Sequence, residues 1–198
     1  GRALTNNPEL DKFTFTGSSA VGKEIGKVAA ERLKPCTLEL GGKSAAIILE
    51  DADLDSTLPM LLFSGLMNTG QACVGQTRIL APRSRYDEVV EKVSGAVAAM
   101  KVGLPDDPAA MIGPLISEKQ RDRVEGYIAK GISDGARLTA GGKRSGDTGW
   151  FVQPTVFADV DPKSTIAQEE IFGPVLSVIP YTDEAQAVAI ANDSEYGL

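Results

Sequence analysis

Strand-like and helix-like signals alternate along the whole of this 198-residue chain, and that alternation restricts it to the α/β class. Phe13-Thr14-Phe15-Thr16 is a β-rich run that ends at Gly17-Ser18. Val21, Ile25, Val28, Ala29 and Leu33 then recur at helical spacing over residues 20–33, and Pro35 is expected to stop that helix. Residues 37–40 read as a second strand, broken by Gly41-Gly42, and residues 45–49 as a short buried one. Asp53 is placed to cap a helix that runs through Gly65 and ends near Asn68-Thr69-Gly70. Residues 77–81 form a strand before Pro82, and residues 86–101 an amphipathic helix with Val89, Val90, Val93, Val97 and Met100 on one face. Ser117 looks like the cap of a helix reaching about Gly131. A strand at 137–139, strands at 151–157 and 175–181, and a last helix at 183–192 complete the pattern. Between them, the polar, Gly-rich segment 141–149 reads as a mobile surface turn. Gly41-Gly42 offers a sterically easy hinge between two units.

Composition narrows the chemistry more than the fold. Hydrophobic residues make up 42% and charged residues 24%, proportions of an ordinary globular protein rather than a disordered or fibrous one. A net charge of -7 repels phosphate backbones and anionic lipids, so neither nucleic acid nor a membrane surface is an expected partner. No apolar run approaches the ~20 residues that span a bilayer. There is no histidine, which removes Ser-His-Asp and Cys-His hydrolases, histidine zinc sites and imidazole proton shuttles; no metal site is expected. Two cysteines, Cys36 and Cys73, make no disulfide framework and fit a reducing, cytoplasmic setting. Acid–base chemistry must run on carboxylates, lysine, tyrosine or water.

Two segments approach the phosphate-loop pattern and fail it. Gly17-Ser18-Ser19-Ala20-Val21-Gly22-Lys23 continues with Glu24 where a hydroxyl is needed, and Gly42-Lys43-Ser44 lacks the leading glycine at Thr37. A strand ending in Thr-Gly-Ser and opening a helix still presents free N–H groups to an anion. A plain turn capped by Ser18 or Ser19 explains the same residues. Cys73, among small residues just after a helix, has the surroundings of a reactive thiolate, although a buried inert cysteine is the commoner fate. Cys36, between Pro35 and a strand, reads as inert. Glu39 interrupts Leu38 and Leu40; it is either a buried carboxylate poised near neutral pH or a water-facing residue of an edge strand. Glu169-Glu170 before Ile171-Phe172-Gly173-Pro174 is either a solvated acidic pair or a binder of ribose hydroxyls.

Four motifs in order then converge on one family. Phe15-Thr16-Gly17-Ser18, Glu39-Leu40-Gly41-Gly42-Lys43-Ser44, Gly70-Gln71-Ala72-Cys73 and Glu169-Glu170-Ile171-Phe172-Gly173-Pro174-Val175 resemble the signatures of the NAD(P)-dependent aldehyde dehydrogenase superfamily. Lesser matches at 113–116, 151–156 and 192–198 extend the resemblance over nearly the whole chain. It implies that Cys73 is the nucleophile and Glu39 the general base. Gly17, Ser18, Val21 and Gly22 match the helix start that meets the cofactor's pyrophosphate and adenosine. Leu40 and Gly41 match residues lining the nicotinamide site, and Glu170 and Phe172 the pair holding the nicotinamide ribose and ring.

The implied reaction oxidises a small aldehyde to a carboxylic acid with NAD or NADP, through a thiohemiacetal and a thioester on Cys73. No step requires histidine. The implied architecture is an aldehyde dehydrogenase-like catalytic domain with a mostly parallel open sheet, at 43–198, after the end of a Rossmann-like cofactor domain, at 1–42. The family's full chain is more than twice this length and forms homodimers or homotetramers. A fragment without turnover is therefore expected. Two other readings stand beside it: a CoA-acylating relative, which usually lacks the match to Glu39, and a non-catalytic domain that retains the fold.

Overall fold

A computed structural model describes residues 1–198. The chain divides into two compact units, Gly1–Gly42 together with Leu198, and Lys43–Gly197. No helix is long and apolar enough to cross a membrane.

In the first unit, α1 (Arg2–Thr5) precedes β1 (Phe13–Thr16), α2 (Ser19–Glu31) and β2 (Cys36–Glu39). The strands pair in parallel, Phe13 opposite Cys36 and Thr16 opposite Glu39. Parallel neighbours need a crossover, and α2 supplies it. Its end differs from the expected one: the helix stops at Glu31, and Leu33 is left-handed at φ 53°. The Leu33 N–H donates to Ala30 O and the Lys34 N–H to Ala29 O. Those two bonds close a Schellman motif, so the helix ends before Pro35 has any bearing on it. Arg32 then donates to the carbonyls of Thr5, Asn6 and Asn7, tying this end to α1.

The second unit is a doubly covered sheet. Its strands are β3 (Ala45–Ile47), β4 (Arg78–Pro82), β5 (Arg137–Ala140), β6 (Thr155–Ala158) and β7 (Val175–Tyr181), in the order β3-β4-β7-β6-β5. All neighbours are parallel except β5 and β6. The helices are α3 (Leu54–Leu66), α4 (Tyr86–Ala98), α5 (Glu118–Ser133), α6 (Thr165–Gln168) and α7 (Glu184–Asn192). Leu61, Leu62, Val89, Val93 and Val97 of α3 and α4 pack with Ile79, Ala81, Leu176 and Val178. Val124, Ile128, Ile166 and Ile190 of α5, α6 and α7 pack with Leu80, Phe157, Val175 and Ile179. Successive residues of a strand face opposite ways, so these two layers cover both faces, and every residue of β4 is buried.

Side-chain caps set where three helices of the second unit begin. Asp53 accepts the Asp55 N–H, Ser117 Oγ the Gln120 N–H at 3.2 Å, and Asp183 the Gln186 N–H at 2.8 Å. One expected strand is shorter than residues 151–157. Pro154 has no N–H to give a ladder, and β6 begins after it at Thr155. The preceding residues pair instead with the Gly-rich segment read from sequence as a mobile turn. Ser145 N–H donates to Phe151 O and Gln153 N–H to Lys143 O, with Arg144 bridged to Val152. Two four-residue helices, α1 and α6, carry no periodicity long enough to read.

Candidate active site

In the first unit, the turn from β1 into α2 is pinned by the Gly17 N–H, which donates to Glu39 O at 3.0 Å. Ser18 Oγ accepts the Val21 N–H, leaving those of Ser19 and Ala20 at the open start of the helix. Gly22 is buried against Leu40, and a Cβ there would meet the Leu40 side chain at 2.4 Å. Leu40 is half-buried, Gly41 buried, and the Glu39 side chain exposed at the end of β2. Glu39 thus occupies a strand paired on one side only. Beside α2 lies a cavity of about 640 Å³ whose walls include Leu4, Phe13, Phe15, Val21 and Ile25. Of α2 it is lined by Val21, Glu24, Ile25 and Val28, and Arg2, Lys12 and Glu24 add charge to its walls.

In the second unit, Cys73 follows a strained turn. After α3, Asn68 (φ 51°), Thr69 (φ 59°) and Gly70 (φ 70°) are left-handed in succession. A non-glycine residue in that region costs roughly 1–2 kcal/mol, so the turn needs compensation. Asn68 Nδ2 donates to Gln71 O at 3.0 Å, and Gln71 Nε2 donates back to Asn68 O at 3.2 Å. The turn is also tied to residues 113–116. Thr69 Oγ1 accepts the Gly113 N–H at 3.1 Å and donates to Gly113 O at 3.4 Å. Gln71 Oε1 accepts the Ile116 N–H at 3.0 Å. Cys73 emerges half-buried, with its thiol free.

Glu170 and Phe172 lie between α6 and β7, and the thiol turn meets this segment at Gly70 and Gly173. A Cβ on Gly70 would stand 2.1 Å from Gly173 O. Phe172 is left-handed (φ 59°) and part-exposed. One face of α5 holds the segment by its backbone. Gln120 Nε2 donates to Phe172 O at 2.7 Å and to Ile171 O at 3.1 Å. Arg123 donates to Glu170 O at 2.7 Å. Tyr127 OH donates to Glu169 Oε2 at 2.6 Å, and burial followed by that bond pushes its phenol up to about 12. Gln120, Arg123 and Tyr127 went unread in the sequence. Their spacing of three and four residues marks one polar helix face, which ordinarily means only solvent exposure.

Lys43, read from sequence as part of a failed phosphate loop and of the motif at 39–44 but given no role in either, is 1% exposed. Its ammonium is held down to about 7, first by burial and then by Arg78, against the opposing pull of Glu170 and Glu169. The folded chain therefore sheds this proton near pH 7 and the unfolded chain near 10.5. Between those values the unfolded state binds one more proton, so Lys43 makes stability rise with pH, by up to roughly 1.4 kcal/mol per unit. Below pH 7 both states are protonated and the slope disappears. Lys43→Met is expected to remove that slope, and denaturant unfolding from pH 7 to 10 measures it. Equal slopes in the two proteins would show that Lys43 is not its source.

The aldehyde dehydrogenase family model matches residues 1–198. The geranial dehydrogenase of Castellaniella defragrans is 56% identical over 198 residues, which cover 100% of this chain and 41% of that protein. The structure of Mycobacterium tuberculosis aldehyde dehydrogenase complexed with NAD+ superposes with a TM-score of 0.97 at 71% identity, covering 100% of this chain and 41% of that one. The NAD+ complex of the Bacillus cereus aldehyde dehydrogenase gives a TM-score of 0.97 at 43% identity, with coverages of 100% and 40%. This chain thus spans about two fifths of the length of these relatives.

Proposed function

Because this chain belongs to the aldehyde dehydrogenase family, we propose that it carries the nucleophile and base of an NAD(P)-linked oxidation of an aldehyde to a carboxylic acid. The observation that carries this reading is the tied, left-handed turn that ends in a half-buried, free Cys73. Strain of that kind concentrates where a side chain must be delivered to a set place.

In this reading Cys73 Sγ attacks the aldehyde carbon and holds it, first as a thiohemiacetal and later as a thioester. When bound, an oxidised nicotinamide dinucleotide supplies the hydride acceptor between those two stages. Glu39 takes a proton from the water that releases the acyl group as the acid and frees Cys73. Gly17, Ser18, Val21 and Gly22, at the start of α2, would hold the adenosine and pyrophosphate, with Val21 also lining the neighbouring cavity. Leu40, Gly41, Glu170 and Phe172 would hold the nicotinamide end. Glu39 favours water over coenzyme A as the acyl acceptor, because a thiol acceptor needs no such base. These 198 residues alone are inferred not to turn over, since the relatives are more than twice as long.

Thiol reactivity tests the reading directly. Both cysteines are free and half-buried, so exposure alone does not rank them. Iodoacetamide labelling mapped by mass is expected to modify Cys73 about tenfold faster than Cys36. Faster labelling of Cys36 would overturn the assignment.

A further inference from the structure

We propose that Thr69 is a positioning residue for the Cys73 thiol, a reading that rests on Cys73 as the nucleophile. Three positions of the turn are left-handed, and two of them hold residues suited to it, Asn68 and Gly70. The third holds Thr69, and a β-branched residue is the least suited to positive φ. Threonine at that point is explained by what its side chain does. Thr69 is 6% exposed, and its hydroxyl serves both polar groups of Gly113, accepting from N–H at 3.1 Å and donating to C=O at 3.4 Å. The Asn68 and Gln71 amide bonds close within the turn and fix its shape. The Thr69 hydroxyl, with Gln71 Oε1 on the Ile116 N–H, fixes where the turn sits. Cys73 lies four residues on, in a turn that the Gly75 N–H closes on Ala72 O at 3.0 Å, and the Gln76 N–H donates to Ser64 O at 3.1 Å beyond it. The Thr69 and Gln71 struts fix the side from which the chain enters that turn.

Two substitutions separate positioning from general support. Thr69→Gly removes the hydroxyl and relieves the backbone strain together, so its melting temperature is expected to stay near that of the unsubstituted chain. Its Cys73 labelling is expected to slow about tenfold, while Cys36 labels as before. Thr69→Ser keeps the hydroxyl and is expected to label Cys73 within about twofold of the unsubstituted rate. Amide exchange across residues 67–76 is expected to speed up in Thr69→Gly and not in Thr69→Ser.

Unchanged Cys73 labelling in Thr69→Gly overturns the proposal, and so does a Thr69→Ser chain that behaves like Thr69→Gly. Global unfolding of Thr69→Gly also overturns it, because the hydroxyl would then support the whole unit rather than the turn. If Cys73 in the unsubstituted chain reacts no faster than Cys36, the nucleophile assignment falls separately. Amide exchange still decides the clamp in that case, and equal exchange in the unsubstituted and Thr69→Gly chains removes it.

Discussion

Gly70→Ala is expected to destabilise the second unit by about 4 kcal/mol, lowering its melting temperature by roughly 10 °C. Two effects add. Alanine at φ 70° takes a left-handed penalty of roughly 1–2 kcal/mol. The new methyl would also stand 2.1 Å from Gly173 O, 2.3 Å from Gly173 C and 2.8 Å from Pro174 N. All three are backbone atoms, which cannot swing aside as a side-chain end does. Relief must come from moving either the thiol turn or the segment carrying Glu170 and Phe172, so Cys73 labelling should fall as well. Gly135→Ala is the control. Gly135 has φ 89°, and a methyl added there would have nothing within 4 Å, so its replacement isolates the backbone penalty at roughly 1 kcal/mol. Urea unfolding of both variants measures the difference, and equal losses would show that the Gly173 contact has no weight.

The elements legible in the sequence were those whose physics is local. Helices α2 and α4 announced themselves by apolar spacing, and α3 and α5 by Asp53 and Ser117, the right residues one position before a helix; Asp183, read as part of the last helix, is its cap. The α/β class followed from alternation alone. Strand order did not, because β7 enters between β4 and β6 through contacts far apart in sequence. The end of α2 was misread for a local reason: a left-handed Leu33 closes the helix where glycine is the usual signal. Pairing of residues 143–145 with 151–153 was hidden because a Gly-rich composition reports turns and not their partners.

The candidate site divides along the same line. Cys73, Glu39, Glu170 and Phe172 could be proposed from sequence because each sits in a motif that resembles the family's. The groups that hold them were not. Thr69 reaches Gly113, 44 residues on, and Arg123 reaches Glu170, 47 residues on. Nothing in either neighbourhood points to its partner. Lys43 and Arg78 were passed over because a charged residue is presumed exposed unless something pairs with it. Here both are buried, and their partners come from elsewhere in the fold.

Arg78→Met is expected to cost the second unit about 3–5 kcal/mol, judged from the buried carbonyls it would orphan. Arg78 is 2% exposed in β4, and each arm of its guanidinium has a backbone acceptor. Nε donates to Lys43 O at 2.7 Å, while the two terminal nitrogens donate to Ile190 O at 2.9 Å and Ala191 O at 2.8 Å. Ile190 and Ala191 belong to the last turn of α7, whose carbonyl end favours a cation; Ile190 O also accepts the Asp193 N–H at 3.3 Å. One side chain thus joins the start of the second unit, a central strand and the end of its last helix. Methionine matches the length and offers no donor. Arg78→Lys is expected to recover only part of the loss, because one ammonium cannot span three carbonyls that a planar fork reaches together. The two residues are also coupled electrostatically. Arg78 helps hold the Lys43 ammonium down, so removing its charge should move Lys43 back toward its ordinary value and narrow the pH range over which stability rises. Unfolding of Arg78→Met across that range reads both effects at once, and a loss below about 1 kcal/mol would mean that water replaces the guanidinium at all three carbonyls.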